Sequence, residues 1–163
     1  MTRHHRLFIP VLVSLWWCLT PLGAFAERMS GRVVGIVDGD TIEVLHDNKL
    51  TERISLHGID CPEKGQAYGT KARQAMSNLV SGKEVTLETH GLDKHGRTIA
   101  DVSLPEGINV SLELVRTGWC WWYPQDAPNN VILAELQRRA RRAGLGLWAD
   151  PKPVPPWEWR KRK

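Results

Sequence analysis

The chain has 163 residues, of which 42% are hydrophobic and 25% charged, and its formal net charge is +4. This length favours a single domain, and the chain contains no internal repeat that would indicate a repeat array. The chain is only mildly basic as a whole. Attraction to a phosphate-bearing partner would therefore depend on local clusters of positive charge rather than on the overall charge.

The first 26 residues have the features of a secretory signal. Arg3 and Arg6 form a positive start, residues 7–19 are apolar, and residues 24–26 form an A-x-A cleavage site. We expect cleavage near Ala26 and a secreted or periplasmic protein with no stable membrane association, an uncleaved anchor being the alternative. Removal subtracts two arginines and no acid, which lowers the net charge from +4 to +2. The remaining chain divides into a domain at residues 27–150 and a Pro/Trp-rich basic tail at residues 151–163.

Five β-like runs and three helical runs follow in the domain. The predicted strands are residues 32–37, 41–46, 51–57, 83–89 and 97–103, and the predicted helices are residues 68–80, 109–116 and 131–143. Three strands, a helix, two strands and then helices, joined by tight turns, predict a five-stranded OB-type Greek-key barrel with about three helices. An open α+β sheet is the alternative that the pattern leaves.

Three carboxylates lie at the ends of predicted strands. Asp40 follows an Asp-Gly turn, whose glycine suits a tight hairpin, while Asp60 and Glu63 flank the break at Pro62. Neighbouring strand ends would bring these acids together, and such oxygen ligands suit Ca²⁺. A hairpin turn with solvated acids is the alternative.

Cys61 and Cys120 remain after removal of the signal. An even pair in an oxidising compartment is consistent with a disulfide, and two small buried apolar side chains are the alternative. Two cysteines without clustered histidines make a zinc site an unfavoured interpretation.

Positive charge is concentrated in two places. Four arginines lie within residues 138–142, and residues 160–163 are all basic. Such clusters favour contact with phosphate. A solvated helix face and a loose terminus are the alternatives.

Several motifs together resemble the staphylococcal nuclease (thermonuclease) family, in its secreted bacterial branch. The resemblance covers about residues 31–148. It rests on Asp38-Gly39-Asp40-Thr41, Gly58-Ile59-Asp60-Cys61-Pro62-Glu63, Asp93-Lys94-His95-Gly96-Arg97, Leu114-Val115-Arg116-Thr117-Gly118, Pro128-Asn129-Asn130 and Gly146-Leu147-Trp148.

The resemblance implies an OB-fold nuclease that uses Ca²⁺ to hydrolyse DNA and RNA phosphodiesters, with products carrying a 3′-phosphate. By position, it implies that Asp40 and Asp60 are Ca²⁺ ligands and that Cys61 contributes its backbone carbonyl. Glu63 would act through a water near the metal, as general base. Arg97 would bind the charge that develops on the phosphoryl oxygens.

One position departs from the family pattern. The family places a second catalytic arginine five residues before the aspartate that matches Asp60, and this chain has Ser55 there. Arg53 lies two residues earlier on the same strand face, and is the candidate replacement. The alternative is a catalytically weak or inactive nucleic-acid-binding module.

Substrate contacts are expected from the polar turn and from the aromatic loop. Lys94 and His95 are candidates in the turn, and Trp122 and Tyr123 are candidates in the loop, where aromatic rings can stack on bases. Solvated turn residues and core-filling tryptophans are the alternatives. We expect a monomer that acts on DNA and RNA, preferably single-stranded.

Overall fold

A computed structural model of the protein describes residues 28–162, so the predicted signal at residues 1–26 lies outside the described residues. Within this range, no helix is long and apolar enough to cross a membrane. The strands are β1 (Arg28–Ile36), β2 (Thr41–Leu45), β3 (Thr51–Leu56), β4 (Ile59–Asp60), β5 (Glu84–Leu92), β6 (Thr98–Ser103) and β7 (Trp121–Trp122).

Five of these strands close into a barrel in the order β1-β2-β3-β6-β5. The pairing of β3 with β6 is parallel, and the other four pairings are antiparallel. Alternation places one face of each strand inside, and the core contains Val33, Ile42, Ile54, Leu87 and Val102. The barrel confirms the predicted OB-type fold, and the open-sheet alternative is wrong.

Residues 28–162 contain four α-helices, one more than predicted. They are α1 (Gly69–Val80), α2 (Val110–Arg116), α3 (Val131–Arg142) and the short α4 (Pro156–Trp159). The side chains of Asn109 and Asn130 accept hydrogen bonds from the third residue after them, which caps the starts of α2 and α3.

A second, two-stranded sheet pairs β4 with β7. Its register places Asp60 opposite Trp121 and Ile59 opposite Trp122. The sequence predicted only an aromatic loop around Trp122 and Tyr123, because a two-residue strand has no period to detect. This small sheet holds Asp60 in a fixed backbone position outside the barrel.

Candidate active site

The turn between β1 and β2 and the strand β4 bring two predicted acids together. Cys61 N–H donates to Asp40 Oδ2 at 2.7 Å, and Thr41 Oγ1 donates to Asp40 Oδ1 at 3.1 Å. The Asp40 carbonyl accepts a hydrogen bond from Leu56 N–H at 2.9 Å. Asp60, in β4, is only 7% exposed. Asp40 is therefore held by the backbone of the residue that follows Asp60.

Carboxylates crowd together in this cluster, and the pKa values of two of them are raised. Burial raises the pKa of Asp40, and the neighbouring carboxylates of Asp38 and Asp60 raise it further. Burial also raises the pKa of Asp60, although the hydrogen bond from Arg160 offsets part of that effect. A bound cation would offset the desolvation of the two charged carboxylates and the repulsion between them.

Close packing beneath the turn explains the glycine at position 39. A Cβ on Gly39 would lie 2.7 Å from the Cβ of Cys61 and 2.9 Å from the Cβ of Ala72. A disulfide joins Cys61 to Cys120, which is the first of the two alternatives left open by the sequence. The turn, β4 and the segment before β7 therefore pack directly against one another at this point.

Arg97 connects to the same cluster from the start of β6. Its Nη1 donates to Thr41 Oγ1 at 3.2 Å, and Thr41 in turn donates to Asp40. Its Nε donates to Asp93 Oδ2 at 2.6 Å, while Asp93 Oδ1 accepts from the backbone N–H groups of His95 and Arg97. The turn at residues 93–96 thus orients Arg97, whose side chain is 35% exposed and can reach a ligand.

The structure does not bring Arg53 to the acids. Its Nε donates to Glu43 Oε1 at 3.0 Å, on an exposed part of the β2–β3 pair. Ser55 lies opposite Thr41 in the same register, directly beside the cluster. Arg53 is therefore not placed where it could take the role of the arginine that the family has at the position of Ser55.

A different arginine meets the acids. Arg160 Nη2 donates to Asp60 Oδ2 at 2.7 Å and Nη1 donates to Asp60 Oδ1 at 3.2 Å. Nη1 also donates to Glu63 Oε1 at 3.0 Å. The hydrogen bond to Asp60 raises the pKa of Arg160, so the guanidinium stays charged. This contact spans 100 residues of sequence, and only the basic character of the tail hinted at it.

The family of the chain is shown by its similarity to known proteins. A family model described as staphylococcal nuclease homologue matches residues 53–150. An uncharacterized endonuclease of Escherichia coli O157:H7 is 47% identical over 159 residues, which cover 97% of this chain and 99% of the relative. The chain belongs to the staphylococcal nuclease family.

Two further relatives agree with this assignment. A micrococcal nuclease of Shigella flexneri is 40% identical, and the match covers 80% of each chain. An uncharacterized endonuclease of Haemophilus influenzae is 38% identical, with 94% of this chain and 85% of the relative covered. The protein is accordingly a nuclease, and nucleic acid is its substrate.

The tail that delivers Arg160 packs against the nuclease domain. Gln66 Nε2, which lies in the loop before α1, donates to the Val154 carbonyl at 2.7 Å. The ring of Trp157 lies edge-on to Trp121 at 5.6 Å between centroids and tilted against Tyr123 at 5.5 Å. The tail as far as Arg160 is therefore packed on the nuclease domain beside the acids.

The remaining predicted substrate contacts lie in different surroundings. Lys94 and His95 are exposed at the tip of the turn that orients Arg97. Trp122 packs partly against the core and its Nε1 donates to the Ala127 carbonyl at 3.0 Å, which fits a structural role. Tyr123 is partly buried beside the tail. Burial is the main cause of its raised pKa, and the charge of Asp60 is the second cause. Tyr123 is thus close enough to Asp60 for the carboxylate to affect its hydroxyl group.

Removal of the disulfide is expected to lower the stability of the nuclease. The bond closes a loop with a sequence separation of 59, for which chain entropy predicts a loss of about 4 kcal/mol in the free energy of unfolding. Urea unfolding of the wild-type protein and of the Cys61→Ser/Cys120→Ser double variant measures this difference. Equal stability of the two proteins would contradict the expectation.

Proposed function

We propose that the protein is a Ca²⁺-dependent nuclease that hydrolyses phosphodiester bonds of DNA and RNA after export from the cytoplasm. One observation carries the proposal: Asp40, Asp60 and Glu63 converge with a cationic side chain, Arg97, that is linked to Asp40 through Thr41. Acids that hold a metal and a cation that holds phosphate must be adjacent for this chemistry.

The donor set fits Ca²⁺ better than a softer metal. Asp40 and Asp60 supply carboxylate oxygens, and the backbone carbonyl of Cys61 is the third donor proposed from the sequence. All three are hard oxygen ligands, which Ca²⁺ prefers. The burial and mutual repulsion that raise the pKa of Asp40 also favour a divalent cation at this point.

Each side chain has a chemical task in the proposed reaction. A bound Ca²⁺ would polarise the phosphoryl group and offset its charge. Glu63, with its carboxylate beside Asp60, accepts the proton of the attacking water as general base. Arg97 donates hydrogen bonds to the phosphoryl oxygens, on which negative charge increases during in-line attack. Its planar guanidinium suits two oxygens of one phosphate.

Arg160 supplies the second cation in this proposal. Its guanidinium lies 3.0 Å from Glu63 and 2.7 Å from Asp60, whereas Ser55 in the strand provides no charge. Since its side chain is 44% exposed, substrate phosphate can replace Glu63 as the partner of Nη1. Arg160 would then bind the phosphate while Glu63 is released to act on water.

Replacing Arg160 by glutamine is therefore expected to lower cleavage by at least about a hundredfold, which is the order lost when one preorganised transition-state donor is removed. Arg162→Gln, which removes the same charge from the same tail, is the matched control and is expected to cleave nearly as fast as the wild type. Steady-state cleavage rates of the three proteins make the comparison. Adding Ser55→Arg to Arg160→Gln is expected to restore part of the rate.

Faster cleavage by Arg160→Gln than by the wild type would contradict this role, because it would show that the arginine blocks the site.

The contacts of Arg160 with Asp60 and Glu63 also favour a second candidate function. If Arg160 keeps Asp60 and Glu63 neutralised in the presence of Ca²⁺, the protein is a catalytically weak member of the family that acts chiefly by binding nucleic acid.

Calorimetric titration with Ca²⁺ tests the proposed function and separates these two candidates. The nuclease is expected to bind Ca²⁺ in the absence of nucleic acid, and Asp40→Asn is expected to weaken that binding without unfolding the protein. Wild-type protein that takes up no Ca²⁺, either alone or with a single-stranded oligonucleotide, would favour the second candidate. The oligonucleotide belongs in the experiment because its phosphate can complete the coordination of the ion.

A further inference from the structure

A second group of metal-binding side chains lies outside the carboxylate site. His57 directly follows β3, His90 lies in β5 and Asp101 lies in β6. One ligand atom from each residue lies within 4.8 Å of the others. A zinc site was not expected from the sequence because the histidines do not cluster along the chain, and closure of the barrel brings these three residues together.

The carboxylate of Asp101 lies between the two imidazoles. His90 Nε2 is 2.7 Å from Asp101 Oδ2, and His57 Nδ1 is 3.6 Å from the same oxygen. The two rings are stacked, with 3.9 Å between their centroids. Two ring nitrogens therefore face one carboxylate oxygen on the outer surface of the barrel.

A β-bulge places His90 in this group. In the pairing of β5 with β6, Thr89 lies opposite Ala100 and Gly91 lies opposite Ile99. His90 is therefore an extra residue in β5, with no residue of β6 opposite it in the backbone register. Bulges of this kind redirect a side chain, and they are frequent beside functional sites. The irregularity lies at the position that carries a potential metal ligand.

The backbone and ring of His57 are held in place by other contacts. Its N–H donates to the Ala100 carbonyl at 2.9 Å, and its own carbonyl accepts from Ser111 Oγ at 3.1 Å. Its Nε2 lies 3.3 Å from the Asp126 carbonyl. When Nε2–H donates to that carbonyl, the lone pair of Nδ1 points toward His90 and Asp101. A hydrogen bond from the second ring nitrogen to a carbonyl is typical of a metal-binding histidine.

From this geometry we propose that His57, His90 and Asp101 form a binding site for a divalent transition metal ion, with Zn²⁺ as the best match. Two imidazole nitrogens and one carboxylate oxygen suit Zn²⁺, whereas Ca²⁺ prefers oxygen ligands alone. Tetrahedral coordination at zinc bond lengths places ligand atoms about 3.4 Å apart, so the widest separation would close by about 1.4 Å, while the 2.7 Å contact between His90 and Asp101 would open slightly. The fourth position is open to water or a substrate oxygen.

The site would join the end of β3 to the β5–β6 pair on the side that contacts Asp126. Metal binding there is expected to raise the melting temperature, because the ion binds the folded protein preferentially. It is a separate site from the acids, so loss of Zn²⁺ binding would leave the proposed nuclease reaction intact, and failure of the nuclease proposal would leave this site intact.

Equilibrium dialysis of metal-free protein against ZnSO₄, without a histidine tag, tests the proposal. The wild type is expected to bind one more equivalent of Zn²⁺ than His90→Ala or Asp101→Asn, or to bind it at least about tenfold more tightly, since even second-shell changes cost 10–100-fold. His46→Ala is the matched control, because that imidazole also contacts an acid, Glu52, at 2.9 Å. Every sample begins at residue 27, after the predicted signal that contains His4 and His5, and only differences between variants report on this site.

Two further results are expected. A tenfold excess of Ca²⁺ does not displace the ion, and the rise in melting temperature with Zn²⁺ disappears in His90→Ala while circular dichroism shows the variant folded. Equal Zn²⁺ binding by the wild type, His90→Ala and Asp101→Asn would overturn the proposal. Loss of the binding in Asp40→Asn, with retention in His90→Ala, would also overturn it by placing the ion at the acids.

Discussion

Replacing Arg97 by glutamine is expected to lower the rate of nucleic-acid cleavage by about 10³–10⁵-fold, the range lost when an arginine that stabilises a phosphoryl-transfer transition state is removed. Arg97 is held by Asp93 through Nε and by Thr41 through Nη1, with the side chain 35% exposed toward a ligand. Glutamine keeps one donor but loses the charge and the planar pair of donors. The loss should therefore appear in kcat more than in substrate binding.

Arg53→Gln is the matched control for this variant. Arg53, within β3, is also an arginine in an ion pair, with Glu43, but it does not contact the acids of the site. Exposed pairs of this kind contribute little to stability, so Arg53→Gln should remain folded and active. Equal cleavage rates for Arg97→Gln and the wild type would contradict the role assigned to Arg97.

Replacing Glu63 by glutamine is expected to lower cleavage by about 10²–10⁴-fold, the usual contribution of a general base. The substitution preserves the size of the side chain and one acceptor for Arg160, but glutamine cannot take a proton from water. Because Glu63 belongs to the site and not to the core, thermal unfolding should change little. Affinity for a single-stranded oligonucleotide should be kept or rise, since a negative charge near the phosphate is removed.

Glu43→Gln makes the same chemical change in the ion pair with Arg53 and serves as the control. It should cleave at nearly the wild-type rate. A Glu63→Gln protein that cleaves within a few-fold of the wild type would show that another group removes the proton.

The barrel and the acids were predictable because their signals are local. Alternation marked the strands, Asp-Gly marked the turn before Asp40, and the break at Pro62 marked the end that carries Asp60. Once the strand ends are known to be neighbours, the convergence of the acids follows. The prediction for Arg97 rests on the family resemblance of its turn, and Asp93 in that turn bonds to the Arg97 side chain and backbone in the structure.

Other features depend on contacts between distant parts of the chain, and the sequence does not encode them in any periodic pattern. Arg160 lies 100 residues from Asp60, and a basic terminus looks the same whether it is solvated or docked. The pairing of β4 with β7 involves two residues on each side. The meeting of His57 with His90 depends on a bulge, which is defined only by the register of two strands.

The most direct test of the account is cleavage of heat-denatured DNA by the purified protein, measured in Ca²⁺ and in excess chelator, beside Glu63→Gln prepared in the same way. The account predicts cleavage that requires Ca²⁺ and that falls to the background in the variant. Cleavage that continues in chelator, or at the wild-type rate in Glu63→Gln, would contradict it. So would a folded wild-type protein that binds the DNA in Ca²⁺ and leaves it intact.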